Sequence, residues 1–184
     1  MGPMSELPPV LAIDPGNTAS GWCLIDPDTL RPLGCGKDPN DRLIEVVHDY
    51  AVTHASAGRI ACEMIASYGM PVGAEIFHTC LWIGRVVQVA ADMGTPVRLV
   101  YRREVKLHLC ESPRARDGNV TAALVDRFAR GLPNRGKGTK AAPGWFYGFA
   151  GDIWSAYAVG VTAIETAGQE WVARRGRARV GRPC

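Results

Sequence analysis

The chain has 184 residues, 47% of them hydrophobic, enough for one domain with a full core and too few for two comfortable ones. Its net charge is only +3, and its six cysteines include no Cys-x-x-Cys pair and no histidine at zinc spacing, which excludes a disulfide scaffold and a zinc module. Residues 1–9 are expected to be flexible: they carry Glu6 and three prolines without a basic start or an apolar run, and no later stretch is long and apolar enough to span a bilayer, so a reduced, cytoplasmic protein is expected.

Val10 to Asp14 is an apolar run that ends on a carboxylate, the pattern of a strand buried on both faces. Pro15-Gly16 turns the chain, and residues 22–25 are expected to return as the second strand of a hairpin. After the Asp26-Pro27-Asp28 turn, residues 31–36 are expected to add a third strand. Asp38, Asn40 and Asp41 are helix-start residues, followed by an apolar stripe of Leu43, Ile44, Val46, Val47, Tyr50 and Ala51. Residues 59–64 form a short buried strand carrying Glu63 at its end, and residues 67–73 a mobile loop.

A long helix is expected over 74–93, a strand over 97–101 and a short helix over 103–110. Asp117-Gly118-Asn119 caps a further helix to residue 130. Residues 131–148, with five glycines and two prolines, are expected to be a basic flexible loop, and 152–170 the last long helix. Residues 171–184 form a basic tail, expected to be disordered. Hairpin strands followed by alternating helices and short buried strands predict an α/β fold, a mixed sheet with helices on both sides.

Charge is unevenly placed. Arg98, Arg102, Arg103 and Lys106 form one basic cluster, Arg114 and Arg116 a second, and Arg127, Arg130, Arg135, Lys137 and Lys140 a third. Arg174, Arg175, Arg177, Arg179 and Arg182 lie in the acid-free tail. One such cluster is ordinary for a solvated helix face; four in one half of a chain point to a polyanion partner.

Three acids stand where a metal site would be built: Asp14 and Glu63 at strand ends and Asp152 at the start of the last helix. Hard divalent cations such as magnesium take oxygen ligands and keep several waters, so two or three converging carboxylates suffice. Each has a plainer reading: Asp14 as turn chemistry, Glu63 as a solvent-facing strand end, and Asp152 as an N-cap that stabilises its helix by about 1 kcal/mol.

Five segments in this order carry a resemblance. Ile13-Asp14-Pro15-Gly16 leads to Gly21-Trp22, Glu63 ends its strand, and Trp82-Ile83-Gly84-Arg85-Val86 lies in the helix beyond. Val105-Lys106 precedes the basic loop, and Asp152-Ile153-Trp154-Ser155-Ala156-Tyr157-Ala158 opens the last helix. The chain resembles the RuvC-like Holliday junction resolvases of the RNase H-like superfamily, particularly those of bacteriophages, over residues 10–165. That resemblance implies an RNase H-like nuclease domain over residues 10–170 and hydrolysis of phosphodiesters with two magnesium ions, for which manganese can substitute. Asp14 would bridge both ions, Glu63 and Asp152 would each complete one coordination sphere, and Lys106 would lie near the scissile phosphate.

The family carries a second acid three residues from the first on the last helix. The ungapped match puts Ser155 there; a slipped one makes Asp152 the second acid and leaves Phe149 at the first. Tyr68 and Met70, after Glu63, are candidates to wedge or stack at an opened base step, or to form a simple gate loop. Arg102, Arg103, Arg114, Arg116, Lys137 and Lys140 are candidates to track the DNA backbone. The implied partners are a branched, four-way DNA junction and a second copy of the chain, since two paired cuts call for two-fold symmetry. The helix with Phe77, Leu81 and Trp82 is the candidate dimer face, unless these side chains pack inside.

Three other readings remain at this level. The first is an RNase H-like nuclease acting on flaps, branched replication intermediates or RNA–DNA hybrids. The second is a junction-binding protein weakened by the missing acid. The third is an actin-like ATPase or sugar kinase, whose phosphate loop is close to Asp14-Pro15-Gly16-Asn17-Thr18 but which needs a second such loop, absent here.

Overall fold

The computed structural model describes residues 7–166, except residues 68 and 70. Tyr68, Met70 and the basic tail over 171–184 lie outside the described residues, as do residues 1–6 and 167–170 at the edges of the expected segments. Five strands, β1 (Val10–Asp14), β2 (Ala19–Ile25), β3 (Pro32–Pro39), β4 (Arg59–Met64) and β5 (Val97–Tyr101), form one sheet in the order β3-β2-β1-β4-β5. β1, β2 and β3 pair antiparallel, whereas β4 runs parallel to both β1 and β5. Helices α1 (Asn40–His54), α2 (Ala74–Asp92), α3 (Arg102–Cys110), α4 (Asp117–Phe128) and α5 (Asp152–Thr166) cover it.

Strand alternation divides the core in two. On one face Leu11, Ile13, Ile60 and Cys62 pack under Leu43, Val47 and Tyr50 of α1 and Ile83, Val86 and Ala90 of α2. On the other, Val10, Ala12, Cys23, Ile25, Ala61 and Val100 pack under α3, α4 and α5. α5 is apolar nearly all round, and residues 156–163 are buried between the sheet and the covering segments. It lies unusually close to the strands: a Cβ at Gly160 would stand 2.3 Å from Ile25 Cδ1. A bulkier residue there is excluded by contact, a cost of about 1–3 kcal/mol where the core cannot shift.

Several boundaries differ from expectation, each for a local reason. β2 begins at Ala19 and β3 runs on to Pro39, because their ladder continues from Trp22↔Gly36 to Gly21↔Lys37 and Ala19↔Pro39. Asp38 is therefore a strand residue and accepts from Trp22 Nε1 at 2.6 Å instead of opening α1. α4 starts at Asp117 and ends at Phe128, with Arg116 at the cap position, where its N–H donates to Asn119 Oδ1 at 2.9 Å.

The largest correction concerns residues 131–148, which are ordered. Pro133–Gly136 forms a 3-10 turn, and Gly138 bridges Pro143. Phe146 is fully buried, Trp145 stacks on Phe128 with ring centroids 5.1 Å apart, and Trp145 Nε1 donates to Tyr157 Oη at 3.1 Å. The Tyr157 hydroxyl in turn donates to the Leu30 carbonyl at 2.8 Å. The aromatic side chains anchor what glycine and proline content alone would leave loose.

No helix among the described residues is long and apolar enough to cross a membrane.

Candidate active site

β1 and β4 run in parallel register, Ile13 opposite Cys62, so the next step brings Asp14 beside Glu63 at the carboxyl ends of two central strands. The turn after Asp14 is fixed by a closed ring of three hydrogen bonds, largely shielded from solvent. Gly16 N–H donates to Ser20 Oγ (3.1 Å), Ser20 Oγ–H donates to Asn40 Oδ1 (2.6 Å), and Asn40 Nδ2 donates to the Gly16 carbonyl (2.9 Å). Asn40, expected only as a helix-start residue, thus ties the first turn of α1 to the loop behind Asp14.

Gly21 stands opposite Asp14 on β2, and a Cβ there would lie 2.7 Å from the carbonyl carbon and oxygen of Asp152. The bare glycine lets the start of α5 settle on the sheet next to Asp14. Asp152 is the first helical residue rather than an N-cap, and its carboxylate pairs with Lys37 Nζ at 2.6 Å. One turn on, the Ser155 hydroxyl stands near Asp14 and favours its ionised form. Phe149 is in the core, against Phe146, Trp154 and Tyr157. Of the two alignments open in the sequence, the geometry brings Ser155 to the acids and leaves Phe149 away from them.

Burial pushes the Asp14 carboxyl up to about 7, and the nearby charges of Glu63 and Asp152 add to the rise; Arg102 and Ser155 act against it. Burial also raises Glu63, against the lowering effect of Arg102 and of a hydrogen bond with Asp14. Arg102 favours the ionised form of both acids and so works against the rise that burial imposes on each.

Arg102 follows directly after β5 and forks. Its Nη1 reaches Glu63 Oε2 at 3.1 Å and its Nη2 reaches Asp117 Oδ1 at 2.9 Å. Burial works against its charge, but Glu63 and Asp117 more than offset that and raise it further. Lys106 Nζ lies 3.7 Å from the same Asp117 oxygen. Burial is the largest single influence on Asp117 and raises it, but Arg102 and Lys106 together outweigh it and hold the carboxyl below its ordinary range.

The predicted site residues therefore divide. Asp14, Glu63, Asp152 and Ser155 come together at the carboxyl ends of the central strands, with Lys106 nearby through Asp117. Arg102 is committed to two carboxylates instead of standing free for DNA. Arg103, Arg114, Arg116 and Lys140 are exposed, and Lys137 is half-buried. Lys37 carried no signal in the sequence beyond its charge, and Asp117 was legible only as part of a helix cap; the pairing of β3 with β2 and a contact between α3 and α4 bring them in.

The donors gathered here are carboxylate and hydroxyl oxygens, the hard set that magnesium or manganese takes. Among the described residues no three Asp, Glu, His or Cys side chains form a ready chelating group. Asp152 is drawn to Lys37, and the pair at neighbouring strand ends is Asp14 and Glu63. Two half-buried carboxylates at neighbouring strand ends, each disfavoured as an anion by burial, fit a divalent cation that would offset their charge.

Away from the acids, Phe77 and Leu81 of α2 are 60% and 67% exposed, so they do not pack inside; Trp82 is half-buried with Arg85 over its ring at 4.2 Å.

No protein-family model matches the chain, and no curated protein matches it. Among solved structures it is similar to RuvC of Thermus thermophilus, with a TM-score of 0.58 and 21% identity over 86% of this chain and 95% of that one. It is likewise similar to T. thermophilus RuvC in complex with Holliday junction substrate, with a TM-score of 0.57 and 22% identity over 87% of this chain and 95% of that one. The mixed sheet, its strand order and its flanking helices are thus those of a RuvC-like fold of the RNase H-like type.

Proposed function

We propose that the protein is a metal-dependent endonuclease that cuts branched DNA, with the four-way junction as its preferred substrate. The observation that carries this is the pairing of Asp14 and Glu63, two half-buried acids at the ends of adjacent parallel strands, each raised by burial, with Asp152 beside them. Such crowding costs stability and serves no packing purpose, but it suits a site that takes up a cation. The solved RuvC complex with Holliday junction substrate, built on the same fold, directs the choice of substrate.

Asp14 and Glu63 would bind magnesium, with manganese as a substitute, and Asp14 would release its proton on binding. The bound cation supplies Lewis acidity at the phosphate and lowers the pKa of water at neutral pH. Asp152, at the start of α5, would face the incoming phosphate together with its lysine partner. Lys106, held near Asp117, would offer a point charge to the same backbone. Arg103, Arg114, Arg116 and Lys140 would contact phosphates on either side, which predicts affinity that falls steeply with salt. A second copy, docked through Phe77 and Leu81 of α2, would bring a second site to the opposed strand.

A junction-binding protein without cleavage is the competing reading, and one observation favours it: Glu63 and Asp152 are each already paired with a cation. Incubation with magnesium and four labelled substrates (four-way junction, flap, linear duplex and RNA–DNA hybrid) separates the cases. The proposal expects the junction to be cut fastest. Preferential cutting of the hybrid or the flap would reassign the substrate, and tight junction binding with every strand whole would favour the binder.

A further inference from the structure

The row of the sheet that carries Asp14 continues to Lys37. Gly21 stands opposite Asp14 and Lys37 opposite Gly21, so the three lie in one line across β1, β2 and β3. Facing residues on neighbouring strands share a face, which puts Lys37 on the α5 side of the sheet. Asp152 rests over the gap at Gly21, between Asp14 and Lys37, and Lys37 Nζ meets its Oδ2 at 2.6 Å. Both side chains remain open to solvent, 52% and 40% exposed, so the pair stands where a phosphate would arrive. An exposed pair of this kind adds little to folding.

The two sides of Asp14 are unequal in ligands. On the Glu63 side two carboxylates stand at neighbouring ends of parallel strands in register. On the Asp152 side the residue one turn on is Ser155, a hydroxyl that acts on Asp14 but carries no charge. That side offers one carboxylate, and it already has an ammonium group against it. Two divalent cations in one centre repel each other and need anionic ligands to offset this. Here Arg102 offsets Glu63 and Lys37 offsets Asp152, and no three chelating side chains converge among the described residues.

We propose that the centre holds one divalent cation, on Asp14 and Glu63, and that the Lys37 ammonium beside Asp152 supplies to the phosphate the positive charge a second cation would bring. This rests on the nuclease reading above and specifies how that site works. In the hydrolysis a water oxygen forms a new bond to phosphorus and the bond from phosphorus to one sugar oxygen breaks. One proton of the water passes to solvent, and the departing oxygen takes up a proton. Lys37 offsets the charge on that oxygen as it develops, and Asp152 holds the ammonium in position.

The test counts Mn2+ bound per full-length chain by electron paramagnetic resonance, with nicked duplex present so that no turnover intervenes, alongside junction cleavage rates. One Mn2+ per chain is expected for the wild type and for Lys37→Gln, with cleavage by Lys37→Gln slowed on the order of 100-fold. Lys37→Arg, which keeps the charge, is expected to recover activity to within about tenfold of wild type. Two Mn2+ per wild-type chain, or Lys37→Gln cutting at the wild-type rate, would overturn the proposal and leave the nuclease reading standing. No bound Mn2+ together with no cleavage would overturn both.

Discussion

The two ends of the acidic row are held by the same chemistry in different solvent. Around Glu63, Arg102 spans two carboxylates from a largely shielded position, and Asp117 passes the connection on to Lys106. Around Asp152 there is a single pair at the solvent boundary, with a serine hydroxyl as its neighbour. A shielded, forked network fixes its members, because releasing one leaves a charge without water or partner. A solvent-facing pair can be divided by an incoming phosphate at little cost. One end thus fixes a ligand, and the other presents an exchangeable charge.

Asp14 lies between the ends, and its loss removes what both serve. Asp14→Asn is expected to slow junction cleavage by more than about 1,000-fold, equivalent to about 4 kcal/mol of transition-state stabilisation. Junction affinity in chelator, read by gel shift, should stay the same or tighten, since a negative charge near phosphates is gone.

The crowding itself is measurable without metal. Asp14 rises from 3.8 to about 7, chiefly through burial. Between those values the folded chain binds more protons than the unfolded one. The associated stability is fully present below about pH 4 and is lost as pH rises through 7, by up to roughly 4 kcal/mol at about 1.36 kcal/mol per unit. Denaturant unfolding in chelator at pH 5 and pH 8 should show the fall, and Asp14→Asn should flatten it.

Arg102→Met and Lys37→Gln set the two ends directly against each other. The Arg102 side chain is only 23% exposed, so removing it leaves Glu63 without its guanidinium and should cost about 2 kcal/mol in denaturant unfolding at pH 7. That is below the range for a fully buried pair because some solvent reaches it. Lys37→Gln should leave the unfolding midpoint unchanged. Equal destabilisation by the two variants would erase the distinction between the ends.

The smallest effect is expected at Ser155. Ser155→Asp adds a carboxylate next to Asp14 and should lower the magnesium concentration for half-maximal cleavage by a factor of about three to ten. A magnesium titration of wild type and variant on one junction reads it, and an unchanged midpoint would show that residue 155 does not reach the bound cation.

Much of this site was legible in the sequence because a charge at the end of an apolar run is conspicuous. Val10–Asp14 and Arg59–Met64 are bounded by turn residues, and the acids Asp14 and Glu63 stand where the apolar pattern stops. The roles of Arg102 and Lys37 were hidden for a different reason. Arg102 meets a residue 39 positions away, a distance that local periodicity does not report. Lys37 lies beyond the point where β3 was expected to end, since Gly34 and Gly36 give that strand little apolar alternation of its own. Its length is set by the ladder to β2, a tertiary effect. Residues 131–148 misled in the opposite direction: their glycines and prolines indicate turns, but Trp145 and Phe146 bind the turns to the core.

Single-turnover cleavage of a four-way junction labelled on two opposed strands, with magnesium or with chelator, tests the central claim most directly. The acidic row as a metal-dependent nuclease centre predicts paired cuts on both opposed strands with magnesium and none in chelator. Both strands left whole with magnesium while the junction is bound, or equal cutting in chelator, would contradict it.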